Sequence, residues 1–245
     1  MTKKERKKDN SGSGLVEVAI DAEKLLFTVD FSGKETHDVY DMETSSIKTI
    51  TSNYFNSETV LFYVSNSYFL AYRSIYKHLL QKVEEYKENK SNHNTHLVVR
   101  HILPYYFNYR HFIETQLKAL SVAVKRIAIM ENHDLKELTK DVLDGINDLT
   151  PDSKNIKIKD VETLQKHKDI LIHHFDILKP LIDEYLTIEP SPEYYRYIFE
   201  KNFVCKNPKV SLDLNYTEKL FSDIVNCFRD IERDLFEVVY FWHLV

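Results

Sequence analysis

Apolar residues recur at helical spacing over most of this chain, and the longest such stretch runs from Leu103 to Met130. Its apolar positions repeat every three or four residues, which is the period of an amphipathic helix. We therefore predict one helix here, roughly 40 Å long at 1.5 Å rise per residue. Pro104 would lie in its first turn, where proline is tolerated. We expect the other helices to pack around this one.

Further helices are predicted on both sides by the same periodicity. They cover residues 44–55, 57–90, 134–149, 160–186 and 217–243. Asp134 and Glu137 fit a capping box, in which the aspartate caps the helix and the glutamate returns a hydrogen bond. Pro180 should kink the fourth of these helices or split it in two. The inward stripe of the helix at 57–90 is predicted as Val60, Val64, Tyr68, Tyr72, Ile75, Leu79 and Val83.

Alternation of apolar and polar residues replaces the helical period at the N-terminus. Residues 15–31 alternate around a four-residue connection, which predicts a β-hairpin. Residues 194–199 and 210–214 predict a second, short hairpin. The basic, polar residues 1–14 predict a disordered tail. The predicted organisation is therefore a tail at 1–14, an N-terminal hairpin and connector at 15–42, and a helical domain at 43–245.

Composition supports a helical fold and narrows the function classes. Four glycines and six prolines in 245 residues favour long helices over many turns, and 30 Tyr and Phe residues (16 Tyr, 14 Phe) predict an aromatic-rich core. The formal charge of −5 argues against a general nucleic-acid coat. Two cysteines give neither a disulfide framework nor a metal quartet. With no apolar run of membrane length and no signal peptide, we expect a cytoplasmic protein without a membrane partner.

Charged residues line one face of the longest predicted helix. Arg110, Glu114 and Lys118 are spaced i, i+4 and i+8, so they share that face. Two structural readings are open: a solvated ladder of charges, or a buried polar network that ties helices together. A third reading is functional, because cations gathered on one face suit a phosphate.

The pattern Arg-His-x-x-Glu-x-x-x-Lys at Arg110 to Lys118, followed by His133-Asp134-Leu135, resembles the core signature of bacterial HEPN (higher eukaryote and prokaryote nucleotide-binding) proteins. Tyr194-Tyr195-Arg196-Tyr197 resembles an aromatic-Arg-Tyr element of part of that superfamily. The resemblance covers roughly residues 100–235. It implies a mainly α, up-and-down helical bundle with long helices and a small β-hairpin or sheet appendage.

The resemblance also implies a site and a function. Arg110, His111 and His133 would be catalytic, Glu114, Lys118 and Arg196 would bind a ligand or phosphate, and no metal or cofactor is expected. The implied function is action on RNA or a nucleotide as a metal-independent endoribonuclease of a bacterial defence or toxin–antitoxin system, working as a homodimer. The alternatives are a non-catalytic module that binds a partner protein or a nucleotide, and a structural helical adaptor.

The ribonuclease motif of the resembled family is Arg-x(4–6)-His. Two stretches fit that spacing, Arg73 to His78 and Arg126 to His133. Neither has Asn, Asp or His directly after the arginine, and the last helix, where the family places the motif, has no match. The sequence therefore departs from the nuclease pattern, and a short motif of this kind matches often by chance.

Overall fold

The computed structural model describes residues 17–21, 26–30, 34–41, 46–53, 57–89, 92–125, 131–153, 156–188 and 213–239. Within these ranges the chain is mainly α-helical and forms a helical bundle. Its helices are α1 (Ser57–Asn89), α2 (Asn92–Lys125), α3 (Leu135–Asn147), α4 (Val161–Ile188) and α5 (Leu214–Val238). Each helix packs on the next, and α2 also contacts α5. The predicted central role of α2 is confirmed, because it contacts α1, α3 and α5.

Helix α2 begins earlier than predicted. It starts at Asn92, so Pro104 lies inside the helix and not in its first turn. The expected start at Leu103 was therefore wrong. Pro104 lies on the exposed side, whereas Tyr105 and Tyr106 beside it are almost fully buried. Burial of these two rings offsets the backbone hydrogen bond that a proline removes from a helix.

Near the start of α1, the residues that face the bundle differ from the predicted ones. Val64, predicted to point inward, is 37% exposed, and the fully buried Ser65 takes the inward position. The Ser65 hydroxyl donates a hydrogen bond to the Phe112 carbonyl oxygen at 3.2 Å, so this small side chain lets α1 approach α2 closely. Further along, Tyr72 and Leu79 are buried as predicted.

Aromatic rings from four helices fill the centre of the bundle, which confirms the predicted aromatic-rich core. The Tyr109 and Phe221 rings are stacked with centroids 3.3 Å apart. The Tyr109 hydroxyl donates to the Phe221 carbonyl oxygen at 3.0 Å. Tyr72 of α1 and Tyr185 of α4 both contact this pair. Burial at this centre raises the pKa of the Tyr109 hydroxyl well above its ordinary value, so it remains a hydrogen-bond donor.

Helix α3 starts where the sequence predicts. One carboxylate oxygen of Asp134 accepts hydrogen bonds from the backbone N–H groups of Lys136 at 2.8 Å and Glu137 at 3.2 Å. The N-cap is therefore confirmed. The returning half of the capping box was wrong, because the backbone N–H of Asp134 donates to the Asn132 side chain at 2.9 Å.

The two remaining helices follow capping aspartates. The Thr163 N–H donates to Asp160 at 2.7 Å, and α4 then runs unbroken past Pro180. Of the two effects predicted for Pro180, the split is therefore excluded and the kink stays a prediction. Pro180 is exposed, and the buried residues on the opposite side keep the helix packed. Asp213 caps α5, which begins at Leu214. The last two residues of the strand predicted at 210–214 are therefore the N-cap and the first residue of α5.

Two antiparallel hairpins precede the helices. β1 (Glu17–Asp21) pairs with β2 (Leu26–Asp30), and β3 (Lys34–Asp41) pairs with β4 (Ser46–Asn53). The short helix expected at 44–55 was wrong, because β4 occupies that stretch. Four of its eight residues are β-branched Ile or Thr, which prefer strands. That these hairpins are an appendage of the helical domain stays a prediction.

Several predictions fall outside the described residues: the tail at 1–14, residues 194–212 of the second hairpin, and the end of the last helix beyond residue 239. The predicted domain boundaries also stay predictions. Among the described helices, none combines the length and the apolar character needed to span a membrane.

Candidate functional site

The polar stripe of α2 is buried. Arg110, Glu114 and Lys118 are 2%, 6% and 5% exposed. The solvated-ladder reading of this stripe was therefore wrong. Buried charges need partners, since an isolated charge in a protein interior is costly. Lys118 Nζ donates to Glu114 Oε1 at 2.8 Å, which pairs two of the three charges along the helix.

The loop before α3 brings a histidine to this stripe. His133 Nδ1 lies 2.9 Å from Glu114 Oε1, and its side chain is 57% exposed. Arg110 Nη2 donates to the main-chain carbonyl oxygen of His133 at 2.8 Å. Asn132 and Asp134 hold the loop through the cap of α3. The structure thus joins Arg110, Glu114, Lys118 and His133, which we call the α2 cluster.

The protonation of the cluster follows from these contacts. Burial by itself would raise the pKa of the Glu114 carboxyl, but hydrogen bonds and charge from Lys118 and His133 outweigh burial and hold the pKa below its ordinary value of 4.5. Glu114 is therefore ionised near neutral pH and acts as an acceptor. Because a carboxylate accepts, Nδ1 of His133 carries the proton that it shares with Glu114. In neutral His133 the other ring nitrogen, Nε2, is then the basic one.

Two groups of the cluster have unused hydrogen-bonding capacity. Among the residues that the structure describes, Nε and Nη1 of the buried Arg110 have no hydrogen-bond partner. Within the described chain, Nε2 of His133 has none either, and its ring faces solvent. A buried donor without a partner costs about 1–3 kcal/mol. The α2 cluster therefore offers guanidinium N–H groups in its interior and a carboxylate-bound imidazole at its surface.

The remaining predicted site residues lie elsewhere. His111 packs toward α1, with its ring centroid 5.1 Å from that of Tyr68, and its Nδ1 lies 2.8 Å from the Phe107 carbonyl oxygen. The structure does not bring it to the α2 cluster. Arg196 and Arg126 lie outside the described residues. In the Arg73 to His78 stretch, His78 stacks with His101, with ring centroids 6.1 Å apart, while Arg73 pairs with Glu218 of α5.

No protein-family model, curated protein or solved structure matches this chain.

Sequence reasoning missed a cleft between α1 and α5. Its volume is about 330 Å³. Glu218 at one end accepts hydrogen bonds from the Tyr72 hydroxyl and Arg73 at 2.5 Å each, and from the Tyr105 hydroxyl at 3.3 Å. Arg229 at the other end lies over the Phe69 ring at 6.0 Å. Polar residues spaced three to four apart on α5 were a usable signal, but that spacing does not tell which helix they face.

Other titratable groups pack between helices. His174 Nε2 lies 2.7 Å from Asp234, which joins α4 to α5. His174 is therefore a histidine that packs between two helices. Burial raises the pKa of the Cys227 thiol to about 11, so it is not a reactive thiolate near neutral pH. Within the described ranges no three His, Cys, Asp or Glu side chains come together as metal ligands would.

Proposed function

We propose that this chain is a HEPN-like helical protein that acts on RNA, with the α2 cluster as its site and His133 as the group that transfers a proton. The reaction proposed is metal-independent cleavage of the RNA backbone. The observation that carries the proposal is the Glu114–His133 pair beside a buried arginine with unsatisfied N–H groups. The bacterial defence or toxin–antitoxin setting and the homodimer belong to the same proposal and rest on the resemblance.

In this proposal Arg110 binds the phosphate. A guanidinium presents five N–H donors in a planar fork, which matches two oxygens of a phosphate. Arg110 uses Nη2 for the His133 carbonyl oxygen and leaves Nε and Nη1 without partners. A phosphate oxygen that accepts from Nε and Nη1 would give these buried groups the hydrogen-bond partner that they lack. Glu114 and Lys118 neutralise each other, so the net positive charge of the cluster comes from Arg110.

In this proposal His133 transfers the proton. The Glu114 carboxylate accepts from Nδ1–H of His133, which fixes the orientation of the ring. Nε2 then faces solvent as a base for the 2′-hydroxyl of a ribose. Attack of that oxygen on the adjacent phosphorus would form a 2′,3′-cyclic phosphate and release the 5′-oxygen of the next nucleotide, which takes up a proton. General base catalysis of this kind contributes about 10²–10⁴-fold in rate.

Cleavage of a fluorescent RNA oligonucleotide in the presence of a chelator tests the proposal. We expect cleavage by the wild-type chain and a loss of about 10²-fold or more in His133→Ala. His173→Ala is the matched control, because His173 is an exposed histidine on α4. It should cleave like the wild type. Circular dichroism would check that both variants fold.

The same set of variants separates the proposal from its alternatives. A folded wild-type dimer that cleaves no RNA would refute the nuclease. RNA binding that survives without cleavage, and weakens about tenfold in Arg110→Lys through loss of the fork, would support a binding module. If Arg110→Lys lowers stability and changes no binding, the cluster is a buried network that ties α2 to the loop before α3, as a structural adaptor requires.

A further inference from the structure

The cleft between α1 and α5 is separate from the α2 cluster. Its α5 wall presents Glu218, Ser222, Asn226 and Arg229, which recur every three to four residues and so share one helix face. Its α1 wall presents Phe69 and Arg73. The cleft volume of about 330 Å³ lies at the lower end of the range of small-molecule sites.

The cations of this cleft are held differently at its two ends. Arg73 donates to Glu218 at 2.5 Å, and Glu218 is itself held by the Tyr72 and Tyr105 hydroxyls. Burial raises the pKa of the Tyr72 hydroxyl, and the hydrogen bond to Glu218 adds to this effect, so the hydroxyl stays a donor. Arg73 is therefore oriented by its carboxylate partner, and the rest of its fork remains half-exposed at the cleft.

Arg229 makes no hydrogen bond within the described part of the chain. It lies over the Phe69 ring, which is one helical turn before Arg73 on α1. Among the residues that line the cleft, Arg73 and Arg229 are positively charged and Glu218 is negatively charged, which leaves one net positive charge. Ser222 and Asn226 add a hydroxyl and an amide between its ends. The cleft therefore combines two guanidinium groups, neutral donors and an aromatic ring.

We propose that this cleft binds a small organic phosphate, a phosphomonoester whose organic part lies against Phe69. Its terminal oxygens would accept from Arg73 and Arg229, with Ser222 and Asn226 as further donors. A phosphomonoester carries close to two negative charges and three terminal oxygens, which matches two guanidinium groups better than a carboxylate does. This ligand site is independent of the proposed RNA cleavage and of the α2 cluster.

Calorimetric titration of the full chain with phenyl phosphate tests the site. We expect saturable binding that weakens about tenfold or more in Arg73→Gln and in Arg229→Gln, because each loses charge-assisted hydrogen bonds. Ser222→Leu should also abolish binding, since it fills the cleft and changes no charge. Ser222 and Arg229 are exposed, so these two substitutions leave the core intact.

Arg233→Gln is the matched control, because Arg233 lies one turn beyond Arg229 on α5 and outside the cleft. Its guanidinium pairs with Asp230 and Asp234. It should bind phenyl phosphate like the wild type. The proposal is overturned if the wild-type chain does not bind phenyl phosphate, if benzoate binds as tightly, or if Arg233→Gln weakens binding as much as Arg229→Gln does.

Discussion

Replacing Glu114 with glutamine removes the charge that holds the α2 cluster together while keeping its shape. Glu114 Oε1 accepts from both Lys118 and His133, and both Glu114 and Lys118 are almost fully buried. Removing one partner of a buried ion pair costs about 3–5 kcal/mol. Glutamine keeps one acceptor oxygen and His133 is mostly exposed, so we expect a loss near the lower end, about 3 kcal/mol. Urea unfolding followed by circular dichroism measures this difference.

The loss should depend on pH in a defined direction. The folded-state pKa of Glu114 is lowered from its ordinary value of 4.5. A carboxyl with a lowered folded-state pKa stabilises the fold above its unfolded pKa, and this stabilisation disappears as pH falls through the folded pKa. The advantage of the wild type over Glu114→Gln should therefore be complete above about pH 5.5 and shrink as the pH falls below 4.5.

An exposed ion pair on α1 provides the control. Glu84 and Lys87 are 62% and 63% exposed and lie 2.6 Å apart. Because exposed pairs contribute little, Glu84→Gln should leave the unfolding midpoint unchanged. Two results would contradict a stabilising role of the buried Glu114–Lys118 pair: a Glu114→Gln variant as stable as the wild type at neutral pH, or a stability difference that does not change with pH.

Three further predictions concern packing, capping and thiol chemistry. Gly145→Ala should destabilise the fold by about 1–3 kcal/mol in urea unfolding, because a Cβ would lie 2.6 Å from Val124 Cγ2, which outweighs the better helix propensity of alanine. A stability equal to the wild type would contradict the close approach of α3 to α2. Asp134→Ala should cost about 1 kcal/mol through loss of the α3 cap, and Asp134→Asn should recover most of it. Cys227 should resist iodoacetamide in the native protein near neutral pH and react once the chain is unfolded, whereas rapid native alkylation would contradict its raised pKa.

The starts of some helices could be predicted from the sequence, whereas the start of α2 could not. Asp134 and Asp160 indicate the starts of α3 and α4, because a capping carboxylate accepts hydrogen bonds from backbone N–H groups within the next three residues. Pro104 misled the prediction of α2, since a proline in a first turn and a proline on the exposed side of a longer helix look alike in sequence. The difference lies in the burial of Tyr105 and Tyr106, which is a property of the whole bundle.

The α2 cluster could be predicted in part. The spacing of Arg110, Glu114 and Lys118 placed them on one face, because that follows from helix geometry alone. Their burial could not be predicted, since a solvated charge ladder has the same spacing. His111 shows the opposite limit: it is adjacent to Arg110 in sequence, but successive residues differ by about 100° around a helix, so its ring packs toward α1. The α1–α5 cleft joins residues far apart in sequence, and the polar spacing along α5 does not tell which helix those residues face.

Chemical rescue tests the proposal that His133 transfers a proton during RNA cleavage. Because the His133 side chain is 57% exposed, His133→Ala should leave an opening at the surface that free imidazole can enter. The measurement is RNA cleavage by folded His133→Ala over a range of imidazole concentrations, with chelator present. We expect the cleavage lost in His133→Ala to return in proportion to the concentration of neutral imidazole. Two results would contradict a proton transfer by His133. One is that His133→Ala cleaves RNA as fast as the wild type, and the other is that it loses cleavage and imidazole restores none of it.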